Sequence, residues 1–244
     1  MVQTNVAGGI HRIEDRHTNY YLVESDGGVW IFDCGLPTSW DLFTHAMAQL
    51  HRRVTEVQGV VLTHGHYDHM GFAERARRTL AVPVYVHEND VPLTRHPLQY
   101  GRDKSPLAYL FRGALPTLAS FARARAFWPS PIAQVHRLSD SGPYIFDDVR
   151  ALPTPGHTLG HCSFYFPERD TIIAGDALVT FDPYTRSRGP QIVSRAATAD
   201  PQRAMESLSV LAETDARVIL PGHGEPWSDG ARRAVDLARS SGIT

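Results

Sequence analysis

Between Thr63 and His69 the chain reads Thr-His-Gly-His-Tyr-Asp-His, directly after the apolar run Gly59–Leu62. His64, His66, Asp68 and His69 therefore fall within six residues at a strand end, and Gly65 permits a tight turn there. A strand-to-helix loop projects such side chains outward, where a ligand can reach them. Imidazole and carboxylate are groups that a borderline ion such as Zn²⁺ accepts. Residues two apart on a loop can share one metal, and the pair that follows can turn to a second. Core packing is a poor account of the cluster, because each buried ring nitrogen needs a partner.

Three further segments set a glycine beside a polar group at a strand or loop end: Pro155-Gly156-His157, Ala174-Gly175-Asp176 and Pro221-Gly222-His223-Gly224. One Gly-His pair would be an ordinary loop. Four such segments in one chain form a set of candidate metal ligands: His64, His66, Asp68, His69, His157, Asp176 and His223. The chain holds thirteen histidines, so most of the remainder need a separate reading. His11, His45, His51, His87, His96 and His136 read as surface or core residues. His161 lies four residues after His157. His17 opens a loop, His17-Thr18-Asn19-Tyr20, that could line a pocket.

The surrounding pattern is that of an α/β chain. Thr18–Val23 and Val29–Phe32 read as strands joined by a turn at Asp26-Gly27-Gly28. Ser39–Leu50 reads as a helix with Leu42, Phe43, Ala46, Met47 and Leu50 on one face. A helix is expected after the His64–His69 loop, through Leu80, and then a strand at Val82–His87. Later strand candidates are Val135–Leu138, Tyr144–Phe146, Val149–Leu152, Ser163–Phe166, Thr171–Ala174 and Val218–Leu220. Helices are expected at Pro201–Ala212 and Asp229–Ser240. Two strand-rich halves, each finished by helices, suggest two packed sheets with helices outside. One domain is expected over 1–244, with a helical insertion at about 90–131. The insertion carries helical patterns at Pro106–Arg112 and Leu115–Phe127 and interleaves aromatics with arginines. It is either a lid over the site, with Phe121, Phe127 and Trp128 as an apolar wall, or a plain packing unit.

Bulk properties narrow the partners. A formal net charge of -2 gives no global field for nucleic acid or an anionic membrane. No apolar stretch of about 20 residues is present, so no membrane span is expected. The start, Met1-Val-Gln-Thr-Asn, lacks a basic region followed by an apolar run, so a cytoplasmic location is expected. The two cysteines, Cys34 and Cys162, are expected as buried, reduced thiols. A small-molecule substrate is the expected partner, and a homo-oligomer is left open.

The ordered set His-x-His-x-Asp-His, then His, Asp and His, resembles the metallo-β-lactamase fold superfamily. The resemblance covers nearly the whole chain apart from the insertion. It implies an αββα sandwich of two mixed β-sheets flanked by helices, with the site along one sheet edge. It also implies a ligand division: His64, His66 and His157 on one ion, Asp68, His69 and His223 on the other, and Asp176 bridging. Asp33, in Phe32-Asp33-Cys34-Gly35, matches an early family motif that supports a ligand from behind; a turn cap is the other reading. Two divalent ions are implied, zinc first, with manganese or iron as alternatives.

The implied chemistry is hydrolysis. Two ions roughly 3.5–4 Å apart can hold a bridging hydroxide at neutral pH, which would attack an ester, lactone or thioester-type carbonyl. Asp68 is the catalytic candidate, orienting the nucleophile or relaying a proton while it binds a metal. Departures from subfamilies limit the substrate. β-Lactamases of the superfamily generally lack the aspartate that Asp176 supplies. Glyoxalase II enzymes carry a C-terminal helical region, whereas this chain ends at Thr244, soon after His223. Homoserine-lactone lactonases often carry a tyrosine where Val179 stands. Nucleases of the superfamily need extra domains and basic surfaces. The alternative from another class is a mononuclear iron persulfide dioxygenase, because Gly175-Asp176-Ala177-Leu178 resembles the segment around its aspartate.

Overall fold

The computed structural model describes residues 1–99, 101–105, 115–124, 128–139 and 149–244. Seven strands form the first sheet in sequence order: β1 (Val2–Ala7), β2 (Ile10–Asp15), β3 (Thr18–Ser25), β4 (Gly28–Phe32), β5 (Val57–Val61), β6 (Val84–His87) and β7 (His136–Leu138). β1 to β4 are antiparallel neighbours, and β4 to β7 run parallel. A second sheet contains β8 (Arg150–Pro153), β9 (Cys162–Phe166), β10 (Thr171–Gly175) and β13 (Val218–Pro221), in the order β13-β10-β9-β8. A short ribbon pairs β11 (Val179–Phe181) with β12 (Arg188–Gln191).

The apolar runs without alternation belong to strands buried on both faces. In β3, Tyr20 and Leu22 face the helix side, while Tyr21 and Val23 face the other sheet. The inter-sheet core joins Tyr21, Phe32 and Val61 to Phe164, Phe166, Ile173 and Leu220. On the outer face of the first sheet, α1 (Trp40–Gln49) and α2 (Ala73–Leu80) bury Phe43, Met47, Ala73 and Ala76 against Ile31 and Val60. On the outer face of the second, α5 (Pro201–Glu213) and α6 (Ala231–Ser241) bury Leu208, Leu211, Ala234 and Val235 against Ile172 and Ile219. The layers are helix, sheet, sheet, helix, the αββα sandwich expected from the motif set.

Within the insertion, α3 (Val91–Arg95) and α4 (Leu115–Arg123) are helical. Val91 and Ile132, near its two ends, join the helix-side core of the first sheet. The helical pattern Pro106–Arg112, Phe127 and the strand candidate Tyr144–Phe146 lie outside the described residues. Strands β1, β2, β11 and β12 were not expected from the sequence. In β2, the buried Arg12 between Ile10 and Ile13 breaks the apolar signal. β11 and β12 have three and four residues, too short for a period to register. Cys34 and Cys162 are buried and form no disulfide with each other. Among the described residues no helix is long and apolar enough to cross a membrane.

Candidate metal centre

All seven candidate ligands converge at one edge of the two sheets. The loop after β5 carries His64, His66, Asp68 and His69, and the loop after β8 carries His157. Asp176 follows β10, and His223 follows β13. These two strands are parallel neighbours with Gly175 opposite Pro221, so both carboxyl ends reach the same point. Every candidate ligand is buried; Asp68, at 7% exposed, is the most open of them.

Close backbone packing at two glycines makes room. A Cβ on Gly222 would lie 2.1 Å from Asp176 Oδ1, so any side chain there would displace the carboxylate. A Cβ on Gly156 would lie 2.1 Å from the backbone nitrogen of Ala204, and its φ of +134° favours glycine as well. That contact seats the His157 loop on α5.

Ligand atoms of His64, His66 and His157 lie within 4.8 Å of one another, as do those of Asp68, His69 and His223. Asp176 stands between the two sets. Its Oδ2 is 3.3 Å from His157 Nε2 and 3.3 Å from His223 Nε2, and its Oδ1 is 3.5 Å from His69 Nε2. Ring nitrogens also face one another: His157 Nε2 and His66 Nδ1 are 2.9 Å apart, and His69 Nε2 and His223 Nε2 are 3.4 Å apart. His64 Nε2 is buried with no hydrogen-bond partner among the described residues. Imidazole lone pairs aimed at a common space, with a carboxylate between them, fit divalent cations.

The other ring nitrogens are held from behind, which sets tautomer and ring angle. His69 Nδ1 donates to Asp33 Oδ2 at 3.0 Å, and His223 Nδ1 donates to the carbonyl of His17 at 2.7 Å. His157 Nδ1 meets Thr198 Oγ1 at 3.3 Å, and His64 Nδ1 meets Thr63 Oγ1 at 2.9 Å. Asp33 also accepts from the backbone N–H and the hydroxyl of Thr63 at 2.8 and 2.9 Å. It therefore orients His69 directly and His64 through Thr63. This resolves the two readings of Asp33 in favour of ligand support.

The electrostatics match a site built for cations. Burial first, then the neighbouring imidazoles, push His64 and His157 well below the usual histidine value. Burial lowers His66 to about 3. Burial also opposes charge on His69 and His223, but the carboxylates of Asp176 and Asp68 raise both above the ordinary value. Burial works to raise Asp176 too; His223, His69 and His157 outweigh it and hold the carboxyl well below its usual range. Asp68 is raised, chiefly by burial.

Three residues matter here that the motif alone did not single out. Asp90, wholly buried, accepts from Gly65 N–H (2.9 Å), Thr158 Oγ1 (2.7 Å) and Gly160 N–H (2.8 Å). It thereby ties the His64–His66 loop to the His157 loop. His161 Nε2 accepts the backbone N–H of Asp176 at 3.0 Å. Thr198 approaches His157 from a loop that carries no glycine-ligand signature. The local signal for Asp90 was slight: a carboxylate just after a strand end.

A sandwich that presents two ligand sets and a shared carboxylate at one edge defines a class of metal-dependent proteins. Residues 13–223 match the family model described as the metallo-beta-lactamase superfamily, and the chain belongs to that superfamily. A relative described as a probable metallo-hydrolase, YflN of Bacillus subtilis, is 27% identical over 91% of this chain and 86% of its own. The uncharacterized protein Rv2581c of Mycobacterium tuberculosis is 31% identical over 71% of this chain and 72% of its own. Among solved structures, the metallo-beta-lactamase family protein TTHA1429 from Thermus thermophilus superposes with a TM-score of 0.69 at 26% identity. The match covers 96% of this chain and 79% of that one. TTHA1623, solved in a di-iron-bound form, gives 0.63 at 25% identity, covering 89% and 92%.

Proposed function

We propose that this chain is a dinuclear metal-dependent hydrolase acting on a small ester, lactone or thioester-type substrate. The observation that carries the reading is Asp176, whose Oδ2 lies equally close to a histidine of each ligand set, at 3.3 Å. In this reading His64, His66 and His157 hold one ion, Asp68, His69 and His223 hold the other, and Asp176 joins them. When bound, the ions supply Lewis-acid chemistry, activating a water near neutral pH and polarising a carbonyl. Asp68, the ligand most open to solvent, orients that water or relays its proton.

The insertion supplies the cover. Phe121 of α4 packs edge-on against Tyr67 of the ligand loop, with ring centroids 6.3 Å apart. On the other side, Arg16 in the β2–β3 turn donates to Ser120 Oγ at 3.2 Å. α4 thus touches the ligand loop and the turn next to His17, a placement that supports a substrate-shaping lid. Trp128 is 73% exposed.

Zinc is the favoured ion on ligand chemistry. Iron is the second candidate, supported by the di-iron form of TTHA1623. Elemental analysis of metal-replete protein, with a panel of lactones, thioesters, aryl esters and phosphodiesters, tests the reading. Two ions per chain and turnover of a carbonyl substrate are expected. Asp176→Ala is expected to lose metal and activity together while the fold persists. A single tightly bound iron would point instead to the dioxygenase alternative. An Asp176→Ala protein with both ions and full turnover would remove the bridge.

A further inference from the structure

Two buried polar side chains, Arg12 of β2 and Asn19 of β3, belong to neither ligand set. Arg12 is 1% exposed and Asn19 is wholly buried. A buried guanidinium is costly unless its donors are met. Arg12 donates to Glu225 at 2.7 and 3.2 Å and to Gln3 at 2.7 Å, and its Nε donates to Asn19 Oδ1 at 2.9 Å.

That last contact decides which way the Asn19 amide points. A guanidinium only donates, so it must face the amide oxygen. The two hydrogens of Nδ2 are then left for the carbonyls of Pro221 and Gly224, each at 2.8 Å. Those carbonyls only accept, so a reversed amide would set oxygen against oxygen on one side and donor against donor on the other. The backbone N–H of Asn19 adds a third contact, to the Gly222 carbonyl at 2.7 Å.

Gly222 and Gly224 flank His223, so one residue of β3 holds the chain on both sides of that ligand. Its neighbours on the strand extend the grip. Tyr21, on the same strand face, donates to the Pro221 carbonyl at 2.6 Å, and the His17 carbonyl takes His223 Nδ1 at 2.7 Å. The loop has little room to shift, because Gly222 already packs against Asp176 and its N–H donates to the Gly175 carbonyl at 2.7 Å. The His64, His66 and His157 set hangs on other groups: Thr63, Asp90 and Thr198.

We propose that Asn19 is a positioning residue for the metal centre. Its amide, oriented by Arg12, sets the place of His223 and so the affinity of the ion held by Asp68, His69 and His223. The proposal rests on the dinuclear hydrolase reading above and adds a residue which that reading does not use.

The test begins with the metal-free full chain. In heteronuclear NMR the Asn19 side-chain amide is expected to exchange with solvent far more slowly than exposed asparagine amides. Exchange as fast as theirs overturns the proposal. Cobalt(II) titrations, read by absorbance against a competing chelator, then give a dissociation constant for each ion, and His223→Ala identifies the ion concerned. Asn19→Asp keeps the shape and the Arg12 contact but turns an oxygen toward the Pro221 and Gly224 carbonyls. It is expected to weaken that same ion about ten- to a hundredfold, the usual cost of losing a group behind a metal ligand, and to leave the other unchanged. Asn19→Ala takes its place if the carboxylate prevents folding. In the His223→Ala background Asn19→Asp is expected to have no further effect, because the route through His223 is gone. Equal weakening of both ions, two unchanged constants, or an added loss in the His223→Ala background overturns the proposal and leaves Asn19 a role in folding alone. If the parent binds fewer than two ions, the dinuclear reading fails. The clamp then stands if Asn19→Asp speeds amide exchange at Gly222 and Thr180 in metal-free protein, and falls if it does not.

Discussion

Asp90 shows how much a single side chain can organise here. Its two oxygens collect three donors from two loops that are distant in sequence. Burial raises its carboxyl pKa, and the three donors work against that rise. Asp90→Ala leaves the Gly65 and Gly160 N–H groups and the Thr158 hydroxyl buried without an acceptor, at a cost of about 2–4 kcal/mol. Asp90→Asn keeps one acceptor and should fold better. It is nonetheless expected to release metal faster to a chelator, because the His64–His66 and His157 loops are no longer held at a fixed spacing. Chelator competition followed by absorbance of the cobalt-loaded protein checks this. A cobalt spectrum and a release rate equal to those of the parent would show that Asp90 serves folding alone.

At the scale of elements, α4 is the part most separable from the metal centre. It supplies none of the seven ligands, yet Phe121 buries itself with Leu36, Tyr67 and Ala124. Phe121→Ala opens a cavity there and costs about 3 kcal/mol. Tyr67 then gains freedom at the entrance while His66 and Asp68 keep their own anchors. The expected result is a change in KM that differs between small and bulky esters, with metal content unchanged. Steady-state kinetics with an ester series, beside elemental analysis, separates the outcomes: metal loss with a uniform fall in kcat would tie α4 to the centre instead of to substrate choice. α4 was legible as a helical pattern of apolar residues, but what it covers was not, because a helical period says which face is buried and not against what.

Across the whole molecule, buried histidines set an acid limit on stability. Burial lowers His11, and it lowers His161 from 6.5 to about 3. As the pH falls below about 6.5, the unfolded chain takes up these protons first. Stability from these two groups is therefore complete above 6.5 and is lost as the pH drops toward the lowered values. His69 and His223 act in the opposite sense in metal-free protein. Their raised values add stability that is present below 6.5 and lost as the pH climbs through them. His161→Gln retains an acceptor for the Asp176 N–H but does not titrate. Melting temperatures of metal-free protein between about pH 7 and pH 4 should fall less steeply in this variant than in the parent. Parallel curves would mean that His161 is not a source of the acid loss.

The chemistry of the centre was determined by local sequence. Glycine-flanked imidazoles and carboxylates at strand ends are short-range features, and all seven residues so marked meet at one point. Apolar runs likewise marked the strands buried on both faces, and amphipathic runs marked α1, α5 and α6. Tertiary structure decided which distant groups meet the candidate ligands from behind. Asp33 reaches His69, Thr198 reaches His157, and the His17 carbonyl reaches His223 from 206 residues away in the chain. Such contacts depend on how two sheets and their end loops pack, and no residue period encodes that. The clamp on the His223 loop has the same origin. Its parts come from β2, β3 and the loop after β13, which only the closed sandwich brings together.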